Sequence, residues 1–298
     1  MKRKFYILSL MMLMALCLAS CSKEENPTFQ FTDPSDTFQS KEGEDEAISK
    51  LRQDFHNETG AYLLFNDTLQ HIFIGKDING NDKYFTELLD IKYTVGQTDS
   101  YQSTKYSYIN LKSYDKCVEA VDYLKEYILP HLSSKLSPYS WYLTSIIHGK
   151  KENSSDLRPY AVSGQRAIVL SCYYLPQLNT EEKKKQLAKR HLLVVIQALA
   201  SDNAPAFADF TAVSSQYYGT DFEKTPEMED LERVREKGFI NTISSSYYPR
   251  QENDINAFTS LVMSYSNEQI EAKYADYPLI IQKAKMFRQD LINLGYIF

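Results

Sequence analysis

The chain has 298 residues, 43% of them hydrophobic, which is enough for one large domain or two small subdomains with a buried core. Acidic residues outnumber basic ones by 39 to 33, and the formal net charge is -6 at pH 7. No basic stripe runs along the sequence, so nucleic acid is excluded as an expected partner.

The first predicted element is an export signal. Basic residues at 2–4 precede an apolar run over 5–18, which is too short for a stable transmembrane helix. The run ends in Leu18-Ala19-Ser20-Cys21, which resembles the bacterial lipobox, where the cysteine thiol carries the acyl chains. We predict a lipoprotein signal peptide over 1–20 and a lipid anchor on Cys21. The alternative is an ordinary signal peptide followed by a chance cysteine.

A polar segment follows the lipobox. Ser22-Lys23-Glu24-Glu25 resembles the export signal of surface lipoproteins in Bacteroidota-type bacteria, although a solvated linker has the same composition. Residues 21–44 include two prolines and few apolar residues, which predicts a flexible tether. A single globular domain is expected over 45–298, and the protein is expected in the outer membrane, lipid-anchored and exposed at the cell surface.

The first half of this domain, 45–175, is predicted to mix helices and strands. Apolar residues at helical spacing predict a helix over 45–56, and another over 117–129 that Pro130 ends. Residues 61–65 and 69–74 are expected to pair as a hairpin around Asn66-Asp67-Thr68, and Asn79-Gly80 marks a second tight turn. Further strands are predicted at 91–95, 106–111, 141–147 and 167–172.

The second half, 176–298, is predicted to be helical. Asn179 with Glu182 forms a start similar to a capping box for a helix that runs to about Ala200. Shorter helices are expected from Thr225-Pro226 to Gly238, over 254–265, after Ser266, and from Pro278 to Leu294. The fold class is therefore α+β, with a small mixed sheet followed by a helical C-terminal subdomain.

The order of these elements is that of zincin metallopeptidases, in which a long helix after the sheet carries His-Glu-x-x-His. Histidines four positions apart lie on one helical face and bind one zinc ion, and the glutamate activates the bound water. If His191 matches the first histidine, Leu192 replaces the glutamate and Val195 replaces the second histidine. If the register is shifted by one, Leu192, Leu193 and Ile196 occupy the three positions, and all of them are aliphatic. None of the other four histidines lies three or four positions from another histidine.

Several segments together resemble the zinc metallohydrolase lipoproteins that are encoded beside SusC/SusD-type nutrient importers in Bacteroidota. They are the lipobox, Glu58-Thr59-Gly60-Ala61-Tyr62-Leu63-Leu64-Phe65, the helix at His191, Pro205-Ala206-Phe207, Tyr217-Tyr218-Gly219 and Gly238-Phe239-Ile240. The resemblance implies a zincin-like fold and a third, acidic zinc ligand after Gly238, near Glu252 and Asp254. Acids near a helix start are also ordinary caps or dipole partners.

The residues at these positions predict a degenerate metallohydrolase. The vestigial-site candidates are His191, Leu192, Val195, Glu252 and Asp254, and we expect no catalytic residue, no bound metal and no cofactor. The predicted function is a non-catalytic binding or accessory component of outer-membrane nutrient uptake, with importer components as partners and a glycan or peptide as ligand. The alternatives are an active hydrolase with a non-standard site and a purely structural partner of an outer-membrane complex.

Two further features have simpler interpretations. The segment 77–82 resembles a calcium loop, but its glycine and its twelfth residue, Leu88, do not fit one, so a polar hairpin turn is predicted. Cys117 and Cys172 are the only cysteines after Cys21, and whether they pair is left open.

Overall fold

The computed structural model describes residues 38–39, 44–89, 104–150, 155–164, 166–222, 229–243 and 246–298. Five predicted features lie outside these residues: the signal peptide, the lipid anchor Cys21, the export signal at 22–25, the strand at 91–95 and the helix start at Thr225-Pro226. Among the described residues, no helix has both the length and the hydropathy that a membrane span requires.

The first helix, α1, spans Glu46–Thr59, close to its predicted range. The Asp45 carboxylate caps it by accepting hydrogen bonds from the amides of Ala47 and Ile48. Gly60 ends it with a φ of 76°, a backbone conformation that glycine adopts without strain.

The described residues of the mixed half form eight strands after α1. Their bounds are β1 Tyr62–Leu64, β2 Thr68–Lys76, β3 Asp82–Leu88, β4 Lys105–Ile109, β5 Ser140–Thr144, β6 Ile146–Lys150, β7 Ala161–Ser163 and β8 Ile168–Ser171. Helix α2, Tyr114–Tyr123, lies between β4 and β5 and continues as a π-helical turn over Leu124–Ile128 and a 3-10 turn over Leu129–His131.

A four-stranded sheet in the order β1-β5-β8-β7 forms the centre. The first three strands are parallel, and the edge strand β7 runs antiparallel to β8. Because side chains alternate along a strand, Trp141 and Leu143 of β5 enter the main hydrophobic core, while Tyr142 enters a smaller core on the other face. The main core also receives the helices, so it joins the mixed half to the helical half.

Two strand predictions are wrong. Residues 61–65 and 69–74 do not pair with each other: β1 joins the central sheet beside β5, and β2 pairs with β3. Leu63 and Leu64 are buried on opposite faces of β1, which suits a strand inside a sheet better than an exposed hairpin. The predicted strand 141–147 is two strands, because the chain bends at Ser145 and β6 pairs with β4.

The Asn79-Gly80 turn is confirmed as the tip of the β2–β3 hairpin. Gly80 has a φ of 82°, and the Asp77 carboxylate accepts hydrogen bonds from the amides of Asn79 and Asn81. The Asn81 amide group adds a third bond, and these bonds lower the pKa of Asp77. The carboxylate that resembled a calcium ligand is thus used within the turn.

The second half is helical, as predicted. Its α-helices are α3 Glu181–Asp202, α4 Ala208–Ala212, α5 Asp230–Glu236, α6 Gln251–Ser264, α7 Asn267–Lys273 and α8 Pro278–Leu294. The predicted cap of α3 is wrong by one residue, because the Thr180 hydroxyl, not Asn179, accepts the amide of Lys183. The helix start after Ser266 and the range of α8 from Pro278 to Leu294 are confirmed. Ser266 forms a capping box with Gln269, and Gly295 is the C-cap of α8. The fold is therefore a mixed α+β domain with a helical C-terminal region.

The last part of the predicted tether, 21–44, packs against the domain. Phe38 is 1% exposed and lies in the smaller core with Leu69 and Leu89. Arg52 holds this segment: its guanidinium donates to the carbonyl oxygens of Phe38 and Leu63 at 2.6 and 2.7 Å and forms an ion pair with Glu44. The chain therefore enters the described domain at Phe38.

Candidate functional site

Helix α3 places His191 in the interior, where the imidazole is completely buried. Its Nε2 lies 3.1 Å from the carbonyl oxygen of Ser171, at the end of β8. Its Nδ1 lies 2.9 Å from the hydroxyl oxygen of Tyr123 on α2. Because a carbonyl only accepts, we assign the ring proton to Nε2, which donates to Ser171, and Nδ1 accepts from Tyr123. Both ring nitrogens are therefore in use.

The charge state of His191 follows from its surroundings. Burial lowers its pKa to about 4, since a charged imidazolium is poorly solvated between α2, α3 and β8. At neutral pH the ring is uncharged and joins the central sheet to two helices.

The neighbouring positions on α3 carry no metal-binding atoms. Leu192 is 3% exposed and Val195 is fully buried, and both belong to the main hydrophobic core. In the shifted register, Ile196 is also buried in this core. These residues do not fit a zinc site of the His-Glu-x-x-His kind, because aliphatic side chains offer no lone pair to a metal. In the described part of the chain, no three His, Cys, Asp or Glu side chains group so as to hold a metal ion.

The two acidic candidates lie on α6 and have different surroundings. Glu252 is exposed in the first turn of the helix. Asp254 is 1% exposed, and its Oδ2 lies 2.6 Å from the Nζ of Lys283 on α8 and accepts from the hydroxyl of Tyr218 at 2.7 Å. Asp254 is therefore half of a buried ion pair and is not grouped with His191.

Lys283, which the sequence analysis did not single out, completes this pair. Its ammonium also donates to the Ser214 hydroxyl at 3.0 Å and lies 4.7–4.9 Å from the ring centres of Phe210, Phe258 and Phe239. Burial lowers the pKa of Lys283 and raises the pKa of Asp254. A signal was present in the sequence: Lys283 stands between Ile280 and Phe287 at helical spacing, on the buried face of α8.

An open groove lies beside the His191–Tyr123 contact. It has a volume of about 590 Å³ and runs along the outer face of α2 towards the 3-10 turn Leu175–Gln177 and the start of α3. Its lining is rich in tyrosines and carboxylates: Tyr114, Asp115, Glu119, Asp122, Tyr123, Glu126 and Tyr127. At one end, the ammonium of Lys184 lies 5.6 Å from the centre of the Tyr127 ring, and Tyr127 donates a hydrogen bond to Glu181. The groove offers aromatic faces and hydrogen-bond acceptors to a ligand.

The two cysteines lie on the inner side of the same region. Both thiols are free and buried in the main core. Burial raises the pKa of Cys117 to about 11 and that of Cys172 to about 12, so both remain protonated at neutral pH. Neither thiol is available as a nucleophile.

A comparison of the chain with protein-family models, with curated proteins and with solved structures finds no match. The functional conclusion therefore depends on the residues and their geometry.

Proposed function

We propose that this protein is an outer-membrane lipoprotein that serves as a non-catalytic binding or accessory component of nutrient uptake. The lipobox at Cys21 supports the anchor, and the family resemblance supports both the importer partner and a zincin-like fold. In such a fold, β7 corresponds to the edge strand and α3, which packs against it, to the zinc-binding helix.

One observation carries the non-catalytic part of the proposal: the bonding of His191. Its two ring nitrogens are hydrogen-bonded to the Ser171 carbonyl and the Tyr123 hydroxyl, and the aliphatic side chains of Leu192 and Val195 pack in the core beside it. In this proposal the histidine has a structural role, in which it fixes the tyrosine that forms part of the groove.

The groove along α2 is the proposed ligand site. Tyr114 is 45% exposed at the groove, whereas Tyr123 and Tyr127 are nearly buried and stack on each other with ring centres 5.5 Å apart. Exposed aromatic rings stack on sugar rings or peptide groups, and the carboxylates accept hydrogen bonds from hydroxyl or amino groups. A short glycan or peptide therefore fits this lining.

The anchor is tested by growing cells with an alkyne analogue of palmitate and detecting label on the protein. The wild-type chain is expected to carry label and to remain with the outer membrane. The Cys21→Ala variant is expected to lose both. An unlabelled wild-type protein contradicts the lipoprotein assignment.

Ligand binding is tested by calorimetric titration of the acylated protein in detergent with maltohexaose and, separately, with the peptide Ala-Lys-Ala-Lys. We expect saturable binding of one of the two probes and a loss of at least about tenfold in affinity for Tyr114→Ala, given the value of an aromatic contact. Tyr265→Ala is the matched control, because this tyrosine is similarly exposed, at 38%, but does not line the groove. Binding that Tyr114→Ala leaves unchanged, or no binding of either probe, contradicts the groove assignment.

A further inference from the structure

The β2–β3 hairpin carries a concentrated exposed apolar surface. Five side chains, which we call the hairpin band, are 47–53% exposed: Ile72, Phe73, Ile74, Tyr84 and Phe85. Monomeric soluble proteins rarely expose large contiguous apolar patches without a binding role. The band therefore points to a surface that another molecule covers.

The strand register places the band on both faces of the hairpin. Ile72 is opposite Phe85, and Phe73 is opposite Tyr84, so neighbouring pairs point to opposite faces. Among the described residues, β2 and β3 pair only with each other, so each strand also has an outer edge without a strand partner. An isolated two-stranded hairpin is marginally stable in water, and lateral contact with a second surface stabilises it.

Ile78 is fully exposed at the tip of the hairpin, but the charges around it argue against a lipid bilayer as the covering surface. Lys76 and Asp82 form an ion pair of 3.2 Å there, and Asp77 and Lys83 flank it. The band lies behind these charges, so insertion from the tip would carry four charged groups into hydrocarbon, at a cost of several kcal/mol each. A polypeptide surface, by contrast, covers the band from the side while the tip stays in water.

The charge of the hairpin favours a second copy of the same chain. The protein as a whole has a net charge of -6, which makes two copies repel each other at most surfaces. Near the tip, Lys76 and Lys83 balance Asp77 and Asp82. In a two-fold arrangement the face of Ile72 and Phe85 meets the same face of the partner, and the balanced charges near the tip add no repulsion.

The position of the chain entry adds a second reason. Phe38, where the chain enters the described domain, packs in one cluster with Leu69 and Leu89 at the base of the hairpin. Cys21 is only 17 positions earlier, a reach of roughly 60 Å at full extension. Copies anchored in one membrane are therefore confined to a thin layer, which raises the effective concentration of one hairpin near another.

We propose that the hairpin band is the contact between two copies of this protein anchored in the same membrane, an inference that rests on the proposed lipid anchor. The two faces of the band together offer an apolar area on the order of 400 Å², and a two-fold contact covers only one face, whereas a stable dimer in solution buries about 800 Å² per partner. The contact is consequently weak for the free chain and forms where the anchor confines it.

The test is cysteine cross-linking of the full acylated protein in isolated outer membranes. The native thiols of Cys117 and Cys172 are buried, so an introduced cysteine reacts selectively with a bis-maleimide. Ile72→Cys places the thiol in the band, and Ile292→Cys is the matched control, since Ile292 is 46% exposed on α8 against 50% for Ile72. We expect a cross-linked dimer for Ile72→Cys, at least about tenfold stronger than for Ile292→Cys.

A second pair of variants separates contact from chance collision. Phe85→Lys, added to Ile72→Cys, puts a charge opposite the thiol and is expected to abolish the dimer, whereas Ile292→Lys in the same background leaves it unchanged. Equal cross-linking at positions 72 and 292, or a dimer that persists with Phe85→Lys, overturns the proposal. Palmitate labelling of the same samples distinguishes the two hypotheses. Labelled protein without a dimer overturns the hairpin contact alone, whereas unlabelled protein refutes the anchor and with it the confinement on which the contact depends.

Discussion

At the scale of single residues, the buried pair of Asp254 and Lys283 is the most demanding feature of the helical half. Lys283 is completely buried and Asp254 is 1% exposed, so neither charge is solvated by water. The cost of removing them from water is offset by their contact at 2.6 Å, by the hydroxyls of Tyr218 and Ser214, and by three aromatic rings around the ammonium. Each charge therefore depends on the other.

This dependence predicts an asymmetry between single and double variants. Lys283→Met is expected to lower the free energy of unfolding by about 3–5 kcal/mol, because it leaves a buried carboxylate without its partner. Adding Asp254→Asn to it is expected to recover part of this loss. The loss from Lys283→Met is also expected to shrink at acid pH, since burial raises the pKa of Asp254 and a protonated carboxyl needs no cation. Urea denaturation at pH 5 and pH 7.5 measures both effects, and additive losses in the double variant contradict the pairing.

His191 predicts an opposite dependence on pH, in which acid destabilises the fold. Its pKa is about 4 in the folded protein and 6.5 for an unperturbed histidine, so between these values the unfolded chain binds a proton that the folded chain does not. The contribution of His191 is thus present above pH 6.5 and is lost as pH falls towards 4, by at most about 1.4 kcal/mol per pH unit. We expect His191→Gln to have a shallower decline of unfolding free energy from pH 7 to pH 4.5 than wild type. Urea denaturation across this pH range measures the effect, and a variant that declines as steeply as wild type contradicts it.

At the scale of elements, helix α3 is the part of the molecule on which the functional conclusion depends. One face of it, including Leu187, His191 and Val195, is buried against the sheet and α6. The family resemblance would place zinc ligands on this face, and hydrocarbon occupies those positions instead. The core is closed where a metallohydrolase needs an open, polar cavity.

Restoring the motif on α3 is therefore expected to damage the fold without creating a zinc enzyme. The variant Leu192→Glu with Val195→His introduces a carboxylate and an imidazole into the main core, and we expect it to lose at least about 3 kcal/mol of unfolding free energy. The control is Gln186→Glu with Lys189→His, which makes the same two residue types at the same spacing on the exposed face. Urea denaturation compares the two, and equal stability of both variants contradicts the burial of this face.

The elements also show how far the sequence could be interpreted. Caps and breakers act locally, so Ser266 and Pro278 predict the starts of α7 and α8 at their observed places. Strand partners depend on contacts between residues distant in sequence. Local turn residues therefore predict that β1 pairs with β2, whereas its partner in the structure is β5. The hydrogen bond between His191 and Tyr123 could not be predicted for the same reason, because the two residues are 68 positions apart in the sequence. The groove, which joins α2 to residues after β8, was equally invisible in the sequence.

At the scale of the whole molecule, the main core connects the two halves that composition and periodicity distinguish. It contains Phe55 and Trp141 of the mixed half together with Phe258 and Phe287 of the helical half. The groove borders this core, since Tyr123 and Tyr127 belong to both, and the hairpin band lies outside it. Both surfaces are open to other molecules. In the proposed function, a closed core takes the place of a catalytic centre, and the exposed surfaces bind ligand and partner.

The most direct test of this account is a calorimetric titration of zinc into chelator-treated, acylated protein, followed by an assay of casein hydrolysis. Both ring nitrogens of His191 are hydrogen-bonded within the protein, and the side chains of Leu192 and Val195 have no atom that can bind a metal. We therefore predict no saturable zinc binding that depends on His191, and no hydrolysis of casein. One zinc ion per chain, bound tightly in wild type and lost in His191→Ala, with casein turnover that follows the metal, would contradict the account.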